Sequence, residues 1–172
     1  MGKGLPRSMS RGNPLKQEVM RQVFTAEDLA ITVDGATGVG WGTAVLGDLP
    51  AGNILLLGAV SYLSFTTASA SVQAAFDGDY SIGTAPTADA SLSGSEVDIV
   101  PSTALGAATA KVSPRARGVS TTSLNGAILD NTDGSLELNL NLLIDDANIS
   151  ADDVAFTADG ELILLYAVLG DD

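Results

Sequence analysis

The chain contains no cysteine and no histidine. Without cysteine, it can form neither a disulfide framework nor a thiolate metal site. Without histidine, it lacks the commonest general base and the commonest zinc ligand. A Ser-His-Asp triad and a Cys-His pair are therefore excluded. We expect a protein that is not an enzyme and that uses no cofactor.

Aromatic residues are also scarce, at 5% of 172 residues with a single tryptophan, Trp41. A glycosidase could use a pair of carboxylates, but nothing here supplies an aromatic-lined sugar cleft. The stretch Gly35 to Gly42, GATGVGWG, is rich in glycine. It lacks the Lys-Ser/Thr ending of a phosphate loop and the G-x-G-x-x-G spacing. We interpret it as a β-turn or bulge beside Trp41.

Basic residues are few and unevenly distributed. The net charge is −13, but residues 1–21 carry a net charge of +4 and residues 22–172 carry −17. An acidic body repels phosphates, so we expect no direct binding of nucleic acid. The only basic residues of the body are Lys111, Arg115 and Arg117.

The apolar run from Ile54 to Val60 is far short of the ~20 residues of a membrane helix, so we expect no membrane span. Tyr62 and Phe65 in its continuation favour a strand. We predict one long strand from Asn53 to Thr66 with two apolar faces. The predicted faces are Ile54, Leu56, Val60 and Tyr62 on one side, and Leu55, Leu57, Leu63 and Phe65 on the other.

The rest of the body is typical of short strands joined by tight turns. From Leu136 to Ile144, leucine or isoleucine alternates with mostly polar residues, a period of two that indicates a half-buried strand. Asp-Gly and Asn-Gly pairs favour hairpin turns; they stand at 34–35, 77–78, 125–126, 133–134 and 159–160. We predict a hairpin at Asp77-Gly78. The pattern predicts an all-β fold, an antiparallel sandwich or a barrel.

The final strand, Glu161 to Gly170, again has apolar residues on both faces. One face of a sandwich sheet is normally solvated, so a two-sided strand requires a second apolar surface. That surface could be a covering loop, a bend that moves the strand between sheets, or another subunit.

We predict two parts: an extended amino-terminal arm, residues 1–24, and one β-sandwich domain, residues 25–172. Glycine and proline recur through Pro14, and no continuous apolar segment follows the charges, so we expect no secretory signal. Residues 15–22 could form a short helix. The arm is either a frayed terminus or a segment that docks on a neighbour.

Two stretches, 84–95 and 101–123, are rich in Ala, Ser, Thr and Gly and suit long surface loops or partner contacts. The basic residues of the second stretch either keep an apolar surface soluble or contact an acidic neighbouring subunit. The candidate partner-binding residues are Arg7, Arg11, Lys16, Arg21, Lys111, Arg115 and Arg117.

Asp145, Asp146, Asp152 and Asp153 are clustered near the carboxyl end. Oxygen ligands in a loop can bind calcium, but the spacing matches no EF-hand. We interpret the cluster as a solvated acidic loop, with calcium binding as the alternative.

Three stretches together resemble the capsid decoration proteins, or cement proteins, of tailed bacteriophages. These are DLPAGNILLLGAVSYLSFTTA, FDGDYSIGTAPTADA and SLELNLNLLIDDANISADDVAFTADGELILLYAVLG, and the likeness spans about residues 47–169. In similar phage proteins an LPAG turn leads to a long hydrophobic strand, and a strand rich in Leu, Val and Tyr closes the domain. The likeness is one of pattern, so no individual functional residue is carried over.

The resemblance implies a jelly-roll-like sandwich, often a homotrimer, on the outer capsid surface of the virion. Such a protein would be made in the cytoplasm of the host bacterium. It would clamp neighbouring subunits of the major capsid protein against internal DNA pressure, with the basic arm along the capsid or an adjacent copy. The alternative hypothesis is a tail or fibre domain that recognises a host receptor or glycan.

Overall fold

The computed structural model describes residues 19–35, 38–121, 124–151 and 153–170, without the side chains of residues 146, 147 and 170. These residues form nine antiparallel strands and one short 3₁₀ helix, Gly94–Glu96. The strands are β1 Met20–Asp34, β2 Gly38–Asp48, β3 Gly52–Thr66, β4 Gly78–Gly83, β5 Val100–Ala104, β6 Ala116–Val119, β7 Ile128–Asn131, β8 Glu137–Ile149 and β9 Val154–Gly170.

The strands follow the hydrogen-bonded order β5-β4-β8-β2-β1-β9-β3-β6, and β7 also pairs with β3. The β1–β2 hairpin joins two four-stranded layers through only three residue pairs, from Thr32–Thr43 to Asp34–Trp41. We call the layer of β1, β9, β3 and β6 sheet I, and the layer of β2, β8, β4 and β5 sheet II. Two four-stranded sheets with this order form a jelly roll. The predicted all-β, antiparallel, jelly-roll-like sandwich is confirmed.

The core lies between the two sheets and follows the period of two. Leu138, Leu140, Leu142 and Ile144 of β8 all have no exposed surface, as their alternation predicts. The rings of Phe65 in sheet I and Tyr80 in sheet II lie 5.7 Å apart. The Tyr80 hydroxyl also shares a hydrogen bond of 2.8 Å with the Ser61 hydroxyl of β3. These contacts fix the separation of the layers.

The predicted strand from Asn53 to Thr66 exists as β3, but its predicted faces are wrong. In the pairing with β9, Leu56 lies opposite Tyr166 and Gly58 lies opposite Leu165, so Leu57 is an extra residue in a β-bulge. An extra residue reverses which side chains point inward beyond it. The buried residues of β3 are therefore Ile54, Leu56, Ala59, Ser61, Leu63 and Phe65.

The Asp159-Gly160 pair lies inside β9 rather than in a hairpin turn. Gly160 has φ of 141°, and a Cβ atom there would lie 1.9 Å from the carbonyl oxygen of Tyr62. Glycine is required because the neighbouring strand passes too close for a side chain.

The predicted hairpin at Asp77-Gly78 is also wrong. The stretch before Asp77 is not a paired strand of the sheet, apart from an isolated bridge between Val72 and Ile149. β4 pairs instead with β8 and β5. Gly78 permits this pairing, since a Cβ atom there would lie 2.0 Å from the carbonyl oxygen of Leu143.

Strand β1 begins at Met20 and pairs with β9 from its first residue, Met20 opposite Tyr166. The short helix expected at residues 15–22 is therefore wrong for residues 20–22, and its first residues lie outside the described part. The boundary of the arm at residue 24 stays a prediction, because residues 1–18 are not described. No helix in the described ranges is long and apolar enough to cross a membrane.

Candidate contact surface

The outward side of sheet I carries an unbroken row of apolar residues across all four strands. Val23 of β1 lies opposite Ile163 of β9, Ile163 opposite Val60 of β3, and Val60 opposite Val119 of β6. Side chains directly opposite on neighbouring strands are only about 5 Å apart, so the four form one continuous stripe. The stripe lies on the side away from the core.

One further apolar residue lies beside this stripe, towards the start of β1. It is Leu165, which lies opposite Arg21 on one side and Gly58 on the other. Because Gly58 has no side chain, a depression of about 180 Å³ opens there, with Val60, Val119, Ile163 and Leu165 in its wall. We call the stripe together with Leu165 the outer apolar face.

The floor of the depression is built by the bulge in β3. Ala59, just after the bulge, donates its backbone N–H to the Ser120 hydroxyl at 2.8 Å. That hydroxyl in turn donates to the Asn125 side-chain carbonyl at 2.8 Å. A loop therefore satisfies the backbone where the ladder of β3 is interrupted.

Exposed large apolar side chains are concentrated in sheet I. Nine such residues are exposed among those described. All but Val45 and Val112 belong to sheet I, to its neighbouring strand β7 or to residue 19. The other seven are Val19, Met20, Val23, Leu57, Val119, Ile128 and Leu165. Apolar side chains exposed together on one sheet mark an association site.

A polar row borders the outer apolar face on its other side. In register, it contains Thr25, Glu161, Tyr62 and Arg117. The Arg117 guanidinium lies 5.9 Å from the centre of the Tyr62 ring, and its Nε donates to the Tyr62 hydroxyl at 3.1 Å. This contact holds a positive charge at the β6 side of the row, with Glu161 on β9.

The outward side of sheet II is different, because residues 84–98 fold back over it; we call them the cover loop. Asn141 of β8 is fully buried beneath this loop. Its side-chain carbonyl accepts the backbone N–H of Thr87 at 2.8 Å, and its Nδ2 donates to the carbonyls of Ala85 and Glu96 at 3.0 and 3.1 Å. Ser81 of β4 donates to the same Glu96 carbonyl at 2.7 Å.

The start and end of the cover loop are joined by Asp98. Its carboxylate accepts the backbone N–H of Thr84 at 2.9 Å and the Thr84 hydroxyl at 2.6 Å. Desolvation by burial raises the pKa of Asp98, and the two Thr84 hydrogen bonds oppose the rise. The loop predicted as a surface excursion or partner contact thus covers the chain's own sheet.

The structure places the predicted partner-binding residues in several different environments. Arg7, Arg11 and Lys16 lie outside the described residues. Arg21 and Arg117 flank the outer apolar face. These two are the predicted cations that the fold brings to the same surface as the outer apolar face.

The other two predicted cations lie elsewhere. Arg115 borders a depression that also contains Glu27, Asp159 and Glu161, so it lies among acidic groups of its own chain. Lys111 donates from its Nζ to the backbone carbonyl of Ser69. A role in partner binding stays a prediction for all seven residues.

The acidic cluster near the carboxyl end is only partly described. The side chains of Asp146 and Asp152 lie outside the described set, and Asp145 and Asp153 are exposed. Within the described ranges, no three acidic side chains are grouped closely enough to hold a metal ion. Calcium binding by the full cluster stays a prediction.

The outer apolar face itself was only partly foreseen from the sequence. The two-sided character of β3 and β9 signalled a second apolar surface. The contribution of Val23 and Val119 was missed, because each is a single valine outside the apolar runs and only the register joins it to the row. Nothing in the sequence indicated that Asn141 is buried, because it occupies one of the polar positions of the alternating strand β8.

No protein-family model matches the chain. No curated protein matches it either. Among solved structures, the chain is similar to "Structure of infectious bursal disease virus Gx strain", with 18% identity and a TM-score of 0.44. It is also similar to "Crystal structure of infectious bursal disease virus VP2 subviral particle", with 15% identity and a TM-score of 0.40. Each match covers 86% of this chain and 32% of the other. Both neighbours are proteins of virus particles, and neither likeness is close enough to assign a family.

Proposed function

We propose that this chain is a non-enzymatic structural protein of a virion, a capsid decoration protein. It binds the outer surface of the shell formed by the major capsid protein and stabilises that shell. The observation that carries the proposal is the outer apolar face of sheet I. A jelly roll that leaves an apolar face open on one sheet acts through contact area with other subunits, which is what a non-catalytic assembly protein needs.

The resemblance to decoration proteins supports the same function. The stretches that carry it form β3, β4, β8 and β9 of the sandwich. β3 and β9 are the central strands of sheet I, and they contribute Val60, Ile163 and Leu165 to the outer apolar face. The sequence similarity and the open surface therefore coincide in the same strands.

The basic residues are the proposed contacts with the shell. Arg21 is exposed on β1, and four further basic residues precede it along the chain: Lys3, Arg7, Arg11 and Lys16. An arm with a net charge of +4 on a body of −17 suits an acidic partner surface. In this proposal the protein binds no nucleic acid or membrane and lies on the outer capsid surface after synthesis in the host cytoplasm.

Co-sedimentation tests this function directly. Full-length protein is mixed with purified shells that consist of the major capsid protein of the virus whose genome encodes it. We expect saturable binding with a fixed ratio of copies to shell subunits and an increased melting temperature of the shell. A protein that leaves the melting temperature unchanged and does not sediment with shells contradicts the proposal. Saturable binding to host cells or their polysaccharides instead would support a tail or fibre domain.

The arm has its own test in the same assay. Replacing Arg7, Arg11, Lys16 and Arg21 together with serine should weaken attachment and leave the sandwich folded. The loss should be greatest at low salt, because charge attraction between exposed groups is screened as salt increases. Undiminished attachment of this variant would remove the arm from the mechanism without removing the function.

A further inference from the structure

We propose that the outer apolar face of sheet I is the contact between neighbouring copies of this chain. The inference goes beyond attachment to a shell, because it assigns this face to self-association. It depends on the area of the face, on the charges around it and on the contrast with sheet II.

The face is large enough for a specific contact. From Val19 to Glu27, β1 and the residue before it extend over about 30 Å, and β1, β9 and β3 are together about 14 Å wide. The four residues of β6 add about 13 Å of a further strand. These dimensions give about 500 Å² for each copy and about 1,000 Å² for a pair, which reaches the ~1,000 Å² expected of a biological interface. The outer apolar face lies within this area, so its centre is the part that a partner would dehydrate.

The charges around the face favour a second copy over a partner with one sign of charge. Arg21 and Arg117 border the outer apolar face, and so does Glu161. Just beyond Glu161, two acids and one base share a depression: Glu27, Asp159 and Arg115. A uniformly acidic or basic partner would leave one of these sets against like charge. Another copy of the same face presents both signs and can match both sets.

The position of the charges also suits two copies that meet face to face. Within the polar row, the base lies on β6 and the acid lies on β9, two strands away. When two copies pack this face together, the β6 side of each copy can lie against the β9 side of the other, so one self-complementary patch matches both charges twice. The homotrimer that the resemblance implies stays a prediction beside this pairwise contact.

A matched pair of substitutions tests the inference in the full-length protein. Leu165 is 39% exposed on the outer apolar face, and Val45 is 44% exposed on β2 of sheet II. Both positions tolerate a lysine in the isolated chain because both are already solvated. The mass of each variant is measured by light scattering during gel filtration over a wide range of concentrations, alongside the unsubstituted protein.

We expect the unsubstituted protein to exceed the 17.4 kDa of one chain. Leu165→Lys should weaken association at least about tenfold, since an unpaired lysine would be buried in the contact. Val45→Lys should associate as the unsubstituted protein does. An unsubstituted protein that stays at 17.4 kDa at every concentration would overturn the inference, as would equal weakening by both variants.

Charge reversal gives a second, independent test. Arg117→Glu should weaken association at low salt, and Glu161→Arg in the same chain should restore it. Because neither residue is buried, folding is expected to be retained, and circular dichroism checks it. If Arg117→Glu leaves association unchanged, this arrangement of the copies is excluded. If instead the chain is monomeric and the face is shielded by residues 1–18 of the same chain, the inference is also overturned.

Discussion

The outward side of sheet II is covered by the chain itself, whereas the outward side of sheet I is open. On sheet II, Asn141 and Ser81 are fully buried and are hydrogen-bonded to the cover loop. On sheet I, Val23, Val119 and Leu165 remain exposed. On these two outward faces the usual distribution is reversed: polar side chains are buried on sheet II, and apolar side chains are exposed on sheet I.

The difference shows how one jelly roll can divide its two surfaces between folding and association. A polar face can be sealed by a loop because each buried polar group finds a hydrogen-bond partner in the loop backbone. An apolar face needs no such partners and can be left for another protein. An exposed apolar face is thus compatible with a stable monomeric sandwich. The unfavourable contact of this face with water ends when another protein covers it.

The largest effect should come from breaking the seal on sheet II. Asn141→Ala removes three hydrogen bonds to the cover loop, and we expect the free energy of unfolding to fall by about 3 kcal/mol. Residues 84–98 should also become more sensitive to protease. Asn139→Ala, on the same strand, loses one bond of 3.4 Å and should cost less than about 1 kcal/mol. Urea unfolding measures both, and equal losses would contradict this account of the seal.

A smaller loss is expected at the floor of the depression in sheet I. Ser120→Ala leaves the backbone N–H of Ala59 without its acceptor, so unfolding should require about 1–2 kcal/mol less free energy. Ser135→Ala removes an exposed hydroxyl and should change stability by less than about 0.5 kcal/mol. Urea unfolding at low protein concentration separates these changes from association. A Ser120→Ala variant as stable as the Ser135→Ala control would show that the bulge needs no support from the loop.

The anchor of the cover loop should give a dependence on pH. Burial raises the pKa of Asp98 above its ordinary value of 3.8, so the folded state binds this proton more tightly than the unfolded state. Its contribution is fully present below pH 3.8 and is lost as the pH rises through the folded-state pKa. Compared with the unsubstituted protein, Asp98→Asn should therefore gain stability with increasing pH across that window.

Asp133→Asn serves as the control of opposite sign. Hydrogen bonds from Ser135 lower the pKa of Asp133, so its contribution is present above pH 3.8 and is lost as the pH falls through the folded-state pKa. Unfolding free energies measured from acid to neutral pH should show the two differences changing in opposite directions. The same trend in both variants would contradict the burial of Asp98.

The smallest effect on stability is expected on the outer apolar face. Val119 is 38% exposed, so Val119→Thr should change the free energy of unfolding of the isolated chain by less than about 0.5 kcal/mol. Association should nevertheless weaken, because a hydroxyl is introduced into the apolar row. Thermal unfolding at low concentration and mass at high concentration measure the two effects. A variant that unfolds far more easily, with unchanged association, would place Val119 in the core rather than in a contact.

The sequence predicted the architecture well because the period of two in β8 and the frequent turns depend on local geometry. It could not predict the bulge at Leu57, since one extra residue in an apolar run leaves no mark on composition. Without that bulge, Val60 and Leu63 were assigned to the wrong faces. The Asp159-Gly160 pair was misread for a related reason, because glycine serves both tight turns and close strand approach.

The open face was predictable only in outline. Two-sided apolar strands indicated that some second surface exists, and the three candidates were a loop, a bend and another subunit. The bulge in β3 exchanges the two faces of the strand and so accounts for part of its two-sided apolar pattern. The apolar residues of sheet I that still point outward form the outer apolar face. Its membership depends on which residues the strand register aligns, as for Val23 and Val119, and register is a long-range property of the fold.

Carbene footprinting of the full-length protein at low and high concentration tests most directly whether sheet I is the assembling face. Carbene reacts with exposed side chains, and Leu165 and Val45 start from similar exposure, 39% and 44%. We predict that labelling of Leu165 and Val119 decreases as concentration increases, whereas labelling of Val45 stays constant. Constant labelling of Leu165 and Val119 while the mass increases would place the contact between copies on another surface and contradict the account.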